Sequence, residues 1–158
     1  NLATAILAAS VIGLFQDTIE KVVALAVLMP IVASMGGIAG TQSLTVLIRA
    51  MAMGQINDRT EIWLVRREIL VSLINGLLWA AVIAIIASYW FSDIRLGMII
   101  ALAIVINLIT AGIAGASLPL LLDRLDIDPA LAGGVVLTTI TDVVGFFAFL
   151  GLAAYFYG

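Results

Sequence analysis

The chain has 158 residues, of which 64% are hydrophobic and only 11% are charged, and its formal net charge is −3. A mean hydropathy of +1.26 leaves too little polar surface to cover a water-soluble fold, which excludes a soluble enzyme and a nucleic-acid-binding protein. The chain has no cysteine and no histidine, so it has no disulfide, no thiolate or imidazole metal site, and no histidine proton switch. Any metal ion bound here must therefore take oxygen ligands.

Apolar runs separated by clusters of charged residues predict an all-α integral membrane protein with five transmembrane helices per subunit. In chain order the predicted spans are roughly 2–15, 22–48, 69–91, 96–122 and 129–157. The first run is short and starts at Asn1 without an initiator methionine or a basic segment, so it does not resemble a signal peptide. We expect further protein upstream of it.

Basic residues are distributed unequally between the two sides of the predicted membrane. Five spans place the segments 49–68 and 123–128 on one side, with five arginines, against Lys21 and Arg95 on the other. The positive-inside rule therefore predicts a cytoplasmic N-terminus and an outside C-terminus in the plasma or inner membrane. The polar segment 49–68 is predicted to form an interfacial helix on the cytoplasmic face, where it anchors the topology.

The fifth predicted span contains one acidic residue, Asp142, about midway along. A charged side chain at the bilayer centre costs at least about 2.5–3.5 kcal/mol, so this carboxylate needs a water-filled path, a cation or a polar partner. Helical spacing aligns Asp142 with Gly134, Thr138 and Gly145 in one stripe of small and polar residues. The stripe favours a pore lining, while a hydrogen bond from a neighbouring helix that serves only packing is the alternative.

The second predicted span contains Pro30 and three glycines within the segment 36–40. We interpret this composition as a weakened, broken helix whose backbone carbonyl oxygens become approachable, which membranes tolerate only beside protein or an aqueous cavity. Ser34, Gly37 and Thr41 share a face with Pro30. The alternative is helix packing, since Gly36-x-x-x-Gly40 is also a small-residue packing motif.

A carboxylate on one span and carbonyl oxygens on another are the hard ligands that Mg²⁺ or Ca²⁺ prefers. Because Mg²⁺ keeps several of its waters, a few oxygens around the hydrated ion suffice. Asn75, Asn107 and Thr110 are the remaining polar groups in mid-span, and we interpret them as interhelical hydrogen bonds.

At these residues the chain resembles the MgtE family of magnesium channels over essentially its full length. The motifs that carry the resemblance are Met29-Pro30, Gly36-Gly37-x-x-Gly40-x-Gln42-Ser43, Leu118-Pro119, Asp128-Pro129-Ala130-Leu131 and Thr138-x-x-Thr141-Asp142-Val143-x-Gly145. Each motif is weak by itself, but together, in this order and in a five-span layout, they are specific.

The resemblance implies that residues 1–158 are a transmembrane pore domain, and that two copies form a homodimer in the bilayer with the pore on the two-fold axis. The second and fifth helices of each subunit would line this pore. Asp142 would face the central ion site, helped by backbone oxygens near Ser34, Gly37 and Thr138. The family's cytosolic regulatory domains, which sense intracellular Mg²⁺, have no counterpart in this chain and are expected upstream.

This sequence also departs from the family at two places along the implied pore. Ile38 stands where the family usually has asparagine, and Gly134-Val135 stand where it often has a polar residue and proline. The missing amide removes a donor and an acceptor beside the ion path.

The predicted function is that of a divalent-cation channel that conducts Mg²⁺ into the cytoplasm, with Mn²⁺, Ca²⁺ or Co²⁺ as other candidate ions. The alternatives are an exchanger or exporter of Mg²⁺ or another divalent cation coupled to Na⁺ or H⁺, and a membrane anchor that transports nothing. An enzyme is not predicted, because no second acid or activated nucleophile accompanies Asp142.

Overall fold

The computed structural model describes all residues from 1 to 158, and every regular element in it is an α-helix. The helices are α1 (Leu2–Gly13), α2 (Gln16–Lys21), α3 (Ala24–Ala52), α4 (Asp58–Phe91), α5 (Ile94–Arg124) and α6 (Pro129–Tyr157). Four of them, α3 to α6, are long and apolar enough to cross a membrane. Helix α1 has 12 residues and rises about 18 Å, less than the roughly 30 Å of the hydrocarbon core, so the fifth span stays a prediction.

Three of the long helices begin at polar capping residues. Asn57 forms a capping box with Thr60 at the start of α4, and Asp93 accepts hydrogen bonds from two backbone N–H groups at the start of α5. Asp128 caps α6, in which Pro129 occupies the first turn. Because these caps satisfy backbone donors that a helix start leaves free, the charged clusters between the apolar runs also define where the helices begin.

The predicted interfacial helix over residues 49–68 is wrong. Helix α3 continues to Ala52 and α4 begins at Asp58, so this polar segment is divided between the ends of two long helices. The capping box at Asn57 explains the position of this boundary. Helix α4 has 34 residues and rises about 51 Å, which exceeds the thickness of the hydrocarbon core.

The predicted break in the second span is also wrong, because α3 is helical without interruption from Ala24 to Ala52. Its glycines allow neighbouring helices to approach closely. A Cβ atom at Gly36 would overlap the side-chain amide of Asn107, and one at Gly40 would lie 2.9 Å from Leu137 Cδ1. The alternative interpretation of this segment as a packing motif is therefore confirmed.

Helix α5 lies at the centre of the bundle and contacts α3, α4 and α6. The largest side chains of the main core come from α3, α5 and α6 and include Leu25, Ile100 and Phe149, all fully buried. Helix α4 packs mainly on α5 and exposes a broad apolar face. Such a face suits contact with lipid, so α3 and α6 are left to shape any polar path through the bundle.

Candidate functional site

A groove of about 370 Å³ lies between α3 and α6. The two helices are antiparallel, since Gly40 contacts Leu137 while Gly133, one turn earlier in α6, contacts Leu44, one turn later in α3. The residues that line the groove are Ser34, Gly37, Ile38, Thr41, Gln42 and Thr138. Three of the four residues predicted for the ion site are therefore brought together in one place.

The groove is open and is lined by four residues with polar side chains, one glycine and one isoleucine, at a depth where a lipid-facing surface is normally apolar. Ser34, Thr41, Gln42 and Thr138 are exposed, and Ile38, the single apolar lining residue, is 58% exposed. These positions lie near the middle of 29-residue helices, well inside the apolar segments. Because hydrocarbon offers no hydrogen-bond partners, this face requires water or another protein surface against it.

The threonine hydroxyls of the groove donate their protons back to their own helices. Thr41 Oγ1 donates to the Gly37 carbonyl oxygen at 2.7 Å, and Thr138 Oγ1 donates to the Gly134 carbonyl oxygen at 3.0 Å. Each hydroxyl oxygen keeps acceptor capacity for a cation or its water. The Gly37 carbonyl is not released by a helix break, so the predicted supply of free carbonyls from a broken helix is not present.

Asp142 lies one helical turn beyond Thr138 and close to the midpoint of α6. It is half-buried and is not among the residues that line the groove. The antiparallel pairing of Gly40 with Leu137 places Asp142 at about the level of Ser34. No residue of the chain donates a hydrogen bond to its carboxylate or forms an ion pair with it, in contrast to Glu61, which pairs with Arg124.

One chain alone does not provide a complete cage for a metal ion. It has no group of three or more acidic residues close enough to share a cation. A single carboxylate with hydroxyl and backbone oxygens nearby fits an ion that keeps most of its water, as Mg²⁺ does.

Asn107 of α5 packs against α3 and α6 behind the groove. It is fully buried, and its Nδ2 donates to the Val32 carbonyl oxygen of α3 at 2.8 Å, which confirms the predicted interhelical hydrogen bond. The same prediction is wrong for Thr110, whose hydroxyl donates to Ile106 in its own helix. Asn75 is exposed and has no hydrogen-bond partner in the chain.

A second acidic residue, Glu68, lies inside the bundle, although its place in the charged segment 49–68 had predicted that it lies on the cytoplasmic face. Glu68 is 7% exposed, and its Oε2 accepts a 2.8 Å hydrogen bond from Ser43 Oγ of α3. A signal for its burial was present as a row of mostly small residues at every fourth position of α4. The row consists of Leu64, Glu68, Ser72, Gly76 and Ala80, all buried.

A third acidic residue, Asp93, connects two helix ends. Its Oδ1 caps α5, and its Oδ2 accepts a short hydrogen bond from the hydroxyl of Tyr157 at the end of α6. The hydrogen bond from Tyr157 is the main reason that the pKa of Asp93 is lowered, and partial burial opposes the change.

Comparison with known proteins identifies the family. A family model named MgtE and described as a divalent cation transporter matches residues 29–152. The chain is 35% identical over 151 residues to the magnesium transporter MgtE of Bacillus subtilis, which covers 96% of this chain and 34% of that protein. It is 32% identical over 148 residues to the magnesium transporter MgtE of Enterococcus faecalis, which covers 94% of this chain and 33% of the relative.

A third relative, the magnesium transporter MgtE of Thermus thermophilus, is 32% identical over 152 residues, or 96% of this chain and 34% of the relative. The chain spans about a third of the length of each of these relatives. The family model covers most of the chain, and the apolar helices that it covers include the groove between α3 and α6. The chain therefore belongs to the MgtE family of divalent cation transporters.

Proposed function

We propose that this chain forms the membrane pore of a Mg²⁺ channel that conducts the ion into the cytoplasm. The observation that carries the proposal is the groove of exposed polar side chains at mid-membrane, with the unpaired carboxylate of Asp142 one turn away. A surface of this kind is stable in a bilayer only if it faces water or protein. The relatives' names, magnesium transporter, support Mg²⁺ as the ion.

Two copies that face each other across a two-fold axis would satisfy this requirement. An isologous dimer places the same groove on both sides of the axis and encloses the polar face. It also brings two Asp142 carboxylates toward one path, where their mutual repulsion is relieved by a dication. The homodimer thus supplies the second carboxylate that a single chain lacks.

In this arrangement the Asp142 carboxylate neutralises part of the charge of a hydrated ion. Ser34 and Thr138 offer hydroxyl oxygens to the ion's waters, and Gly37, whose carbonyl oxygen accepts from Thr41 Oγ1, lines the groove beside them. Mg²⁺ suits such a site because it dehydrates reluctantly and prefers oxygen ligands. Mn²⁺, Ca²⁺ and Co²⁺ are the competitors to compare, since geometry and size decide among hard cations.

The membrane potential drives the flow in this proposal. Moving a dication across 100 mV releases about 4.6 kcal/mol, twice the roughly 2.3 kcal/mol for a single charge. The N-terminus lies in the cytoplasm and the C-terminus outside, following the excess of arginines in the segments 49–68 and 123–128. Upstream cytosolic domains regulate the pore in this proposal.

The experiment measures Mg²⁺ uptake into proteoliposomes under an applied potential for the wild-type protein and for Asp142→Asn. We expect uptake to fall at least about tenfold in the variant, and the stabilisation of the protein by Mg²⁺ in thermal unfolding to shrink as well. Asp123→Asn is the matched control, because it removes the same charge from an exposed position at the end of α5. Equal uptake by the wild-type protein and Asp142→Asn would contradict the ion site.

The same vesicles distinguish a channel from an exchanger. A channel conducts Mg²⁺ with no gradient of Na⁺ or H⁺, whereas an exchanger requires one of these gradients. Uptake that depends on a counter-ion gradient would indicate an exchanger or exporter rather than a channel. No uptake of any divalent ion would favour a membrane anchor.

A further inference from the structure

A second groove lies between α4 and α5. It is at the end of the bundle opposite the connections 53–57 and 125–128. It encloses about 400 Å³, and eight of its nine lining residues are hydrophobic. Ala80 and Ala84 of α4 leave space where a larger side chain would fill it, and Phe156 of α6 closes one side. The groove is separate from the polar groove between α3 and α6, with which it shares no residue.

The length and depth of this apolar groove match one leaflet of a bilayer. Its α5 side extends from Arg95 to Val105, eleven residues whose ten helical steps rise about 15 Å. This distance is half of the roughly 30 Å hydrocarbon core. The exposed rings of Tyr89 and Trp90, at the end of α4 next to the start of α5, are typical of residues at the level of the lipid headgroups.

Arg95 is the single polar residue of the lining, and it lies at the headgroup end of the groove. It is exposed and forms no ion pair, although Asp93 lies only two residues away. The charge of Arg95 helps to lower the pKa of Asp93, but the Asp93 carboxylate takes its hydrogen bonds from Tyr157 and from the backbone N–H groups of α5 and none from the guanidinium. The guanidinium of Arg95 therefore remains available to an anion outside the chain, and guanidinium groups bind phosphate through paired hydrogen bonds.

We infer that the groove between α4 and α5 binds one anionic phospholipid, with an acyl chain along the apolar lining and the phosphate on Arg95. The charge complementarity at Arg95 and the one-leaflet length of the lining together select this occupant. A zwitterionic lipid carries its own cationic group, which competes for the same phosphate. Phe156 places the bound chain against α6, next to the hydrogen bond between Tyr157 and Asp93.

The test measures lipid retained by the protein after detergent extraction from vesicles of phosphatidylcholine with phosphatidylglycerol, using native mass spectrometry. We expect about one phosphatidylglycerol per chain to remain and little phosphatidylcholine. Arg95→Gln should lower the retention at least tenfold. Ala84→Leu, which fills the groove, should lower it as strongly, whereas Lys21→Gln and Ala81→Leu should leave it unchanged because neither residue lines the groove.

Three outcomes would overturn the inference. Equal retention of both lipids by the wild-type protein would indicate bulk lipid contact only. An equal loss in Lys21→Gln and Arg95→Gln would indicate nonspecific attraction by surface charge. Full retention by Arg95→Gln would exclude the guanidinium as the ligand, and this result is decisive even if Ala84→Leu fails to fold, because Arg95 is exposed.

Discussion

Two acidic residues inside the bundle, Glu68 and Asp142, have contrasting surroundings. Glu68 is buried between α4 and α3 and accepts a hydrogen bond from Ser43. Asp142 is half-buried, lies one turn from an open polar groove and has no partner within the chain. One carboxylate is therefore satisfied by its own protein, whereas the other requires something that the single chain does not supply.

The helices that carry the two carboxylates also differ in how closely they are packed along their length. A Cβ atom at Gly112 or Gly115 would press against Ser72 or Ser43, so small residues close the helices tightly around Glu68. No atom lies within 4 Å of a Cβ placed at Gly134, on the Asp142 stripe of α6. The open space lies at Gly134, two turns before Asp142, whereas α6 is closely packed at Gly145, where a Cβ atom would lie 2.6 Å from Asn107 Nδ2. Glu68 therefore has a structural role, while the proposed role of Asp142 in ion binding rests on its lack of a partner within the chain.

The largest expected effect comes from Gly115→Ala. Its Cβ would lie 2.5 Å from the Gly40 carbonyl oxygen, which is backbone and cannot move aside without shifting α3 against α5. We expect a loss of about 1–3 kcal/mol of unfolding free energy, measured by thermal unfolding in detergent, together with reduced Mg²⁺ uptake.

Gly134→Ala is the matched control for this substitution, because the new methyl group meets nothing within 4 Å. It should leave stability equal or slightly higher, since alanine favours a helix more than glycine does. A destabilisation of both variants by the same amount would contradict the contrast between a closed and an open side of the bundle.

The second prediction compares Ser43→Ala with Glu68→Gln. Ser43→Ala leaves the buried carboxylate of Glu68 without its donor and should cost about 1–3 kcal/mol of unfolding free energy. Glu68→Gln keeps an acceptor for the Ser43 hydroxyl and should change stability by less than about 1 kcal/mol. Mg²⁺ uptake by Glu68→Gln should stay near that of the wild-type protein.

Glu68→Gln and Asp142→Asn each remove one carboxylate from the bundle by an isosteric change. If Glu68→Gln abolished Mg²⁺ uptake as strongly as Asp142→Asn, the assignment of a structural role to Glu68 would be wrong.

The sequence predicted the long helices well, because a long apolar run bounded by charges can adopt few structures other than a helix in a membrane. The resemblance to the MgtE family also implied that Ser34, Gly37 and Thr138 come together, and all three line the groove. The prediction from sequence failed in α3, where contacts with neighbouring helices keep the helix continuous. The glycines at 36, 37 and 40 weaken an isolated helix, but Asn107 and Leu137 pack into the space that they leave.

The burial of Glu68 was missed for a related reason. Counting charges between apolar runs assigns Glu68 to a loop, whereas the row of five residues at every fourth position from Leu64 to Ala80 assigns it to a buried helix face. The second signal needs the partner helices α3 and α5 to be known, because a small-residue row by itself does not tell which helix covers it. The sequence alone could not show which helices pack against each other or in what register.

The third prediction concerns Ile38, the apolar lining residue of the polar groove. Its side chain is 58% exposed, so Ile38→Asn should change the unfolding free energy by no more than about 0.5 kcal/mol. The new amide adds an oxygen for the waters of a passing ion, and we expect Mg²⁺ uptake to rise by a factor of about 2–5.

Ile85→Asn is a control on the lipid-facing side of α4, where Ile85 is 72% exposed. An amide facing hydrocarbon should destabilise the protein in vesicles and should not raise uptake. A similar response of the two variants would show that Ile38 faces lipid rather than an aqueous path.

The smallest effect is expected at Asp93, which has a partner, as Glu68 does, but lies at a helix end outside the spans. The hydrogen bond from Tyr157 stabilises the ionised carboxylate and holds its pKa below the ordinary value of 3.8. A lowered pKa in the folded state contributes stability above pH 4, and this contribution disappears as the pH falls through the lowered pKa. Tyr157→Phe removes the main cause of the shift, so the pKa of Asp93 should rise.

We expect Tyr157→Phe to lose about 1 kcal/mol or less at pH 7, because water partly replaces the missing donor at this exposed end of the bundle. The difference from the wild-type protein should shrink toward zero below the pKa of Asp93 in the folded wild-type protein, where the carboxylate is protonated in both. Thermal unfolding measured from pH 7 down to a pH below the pKa of Asp93 gives the difference in stability between the two proteins. Tyr155→Phe is the control, because Tyr155 is 82% exposed. A loss that persists unchanged at the lowest pH would mean that the hydroxyl of Tyr157 stabilises α6 without the charge of Asp93.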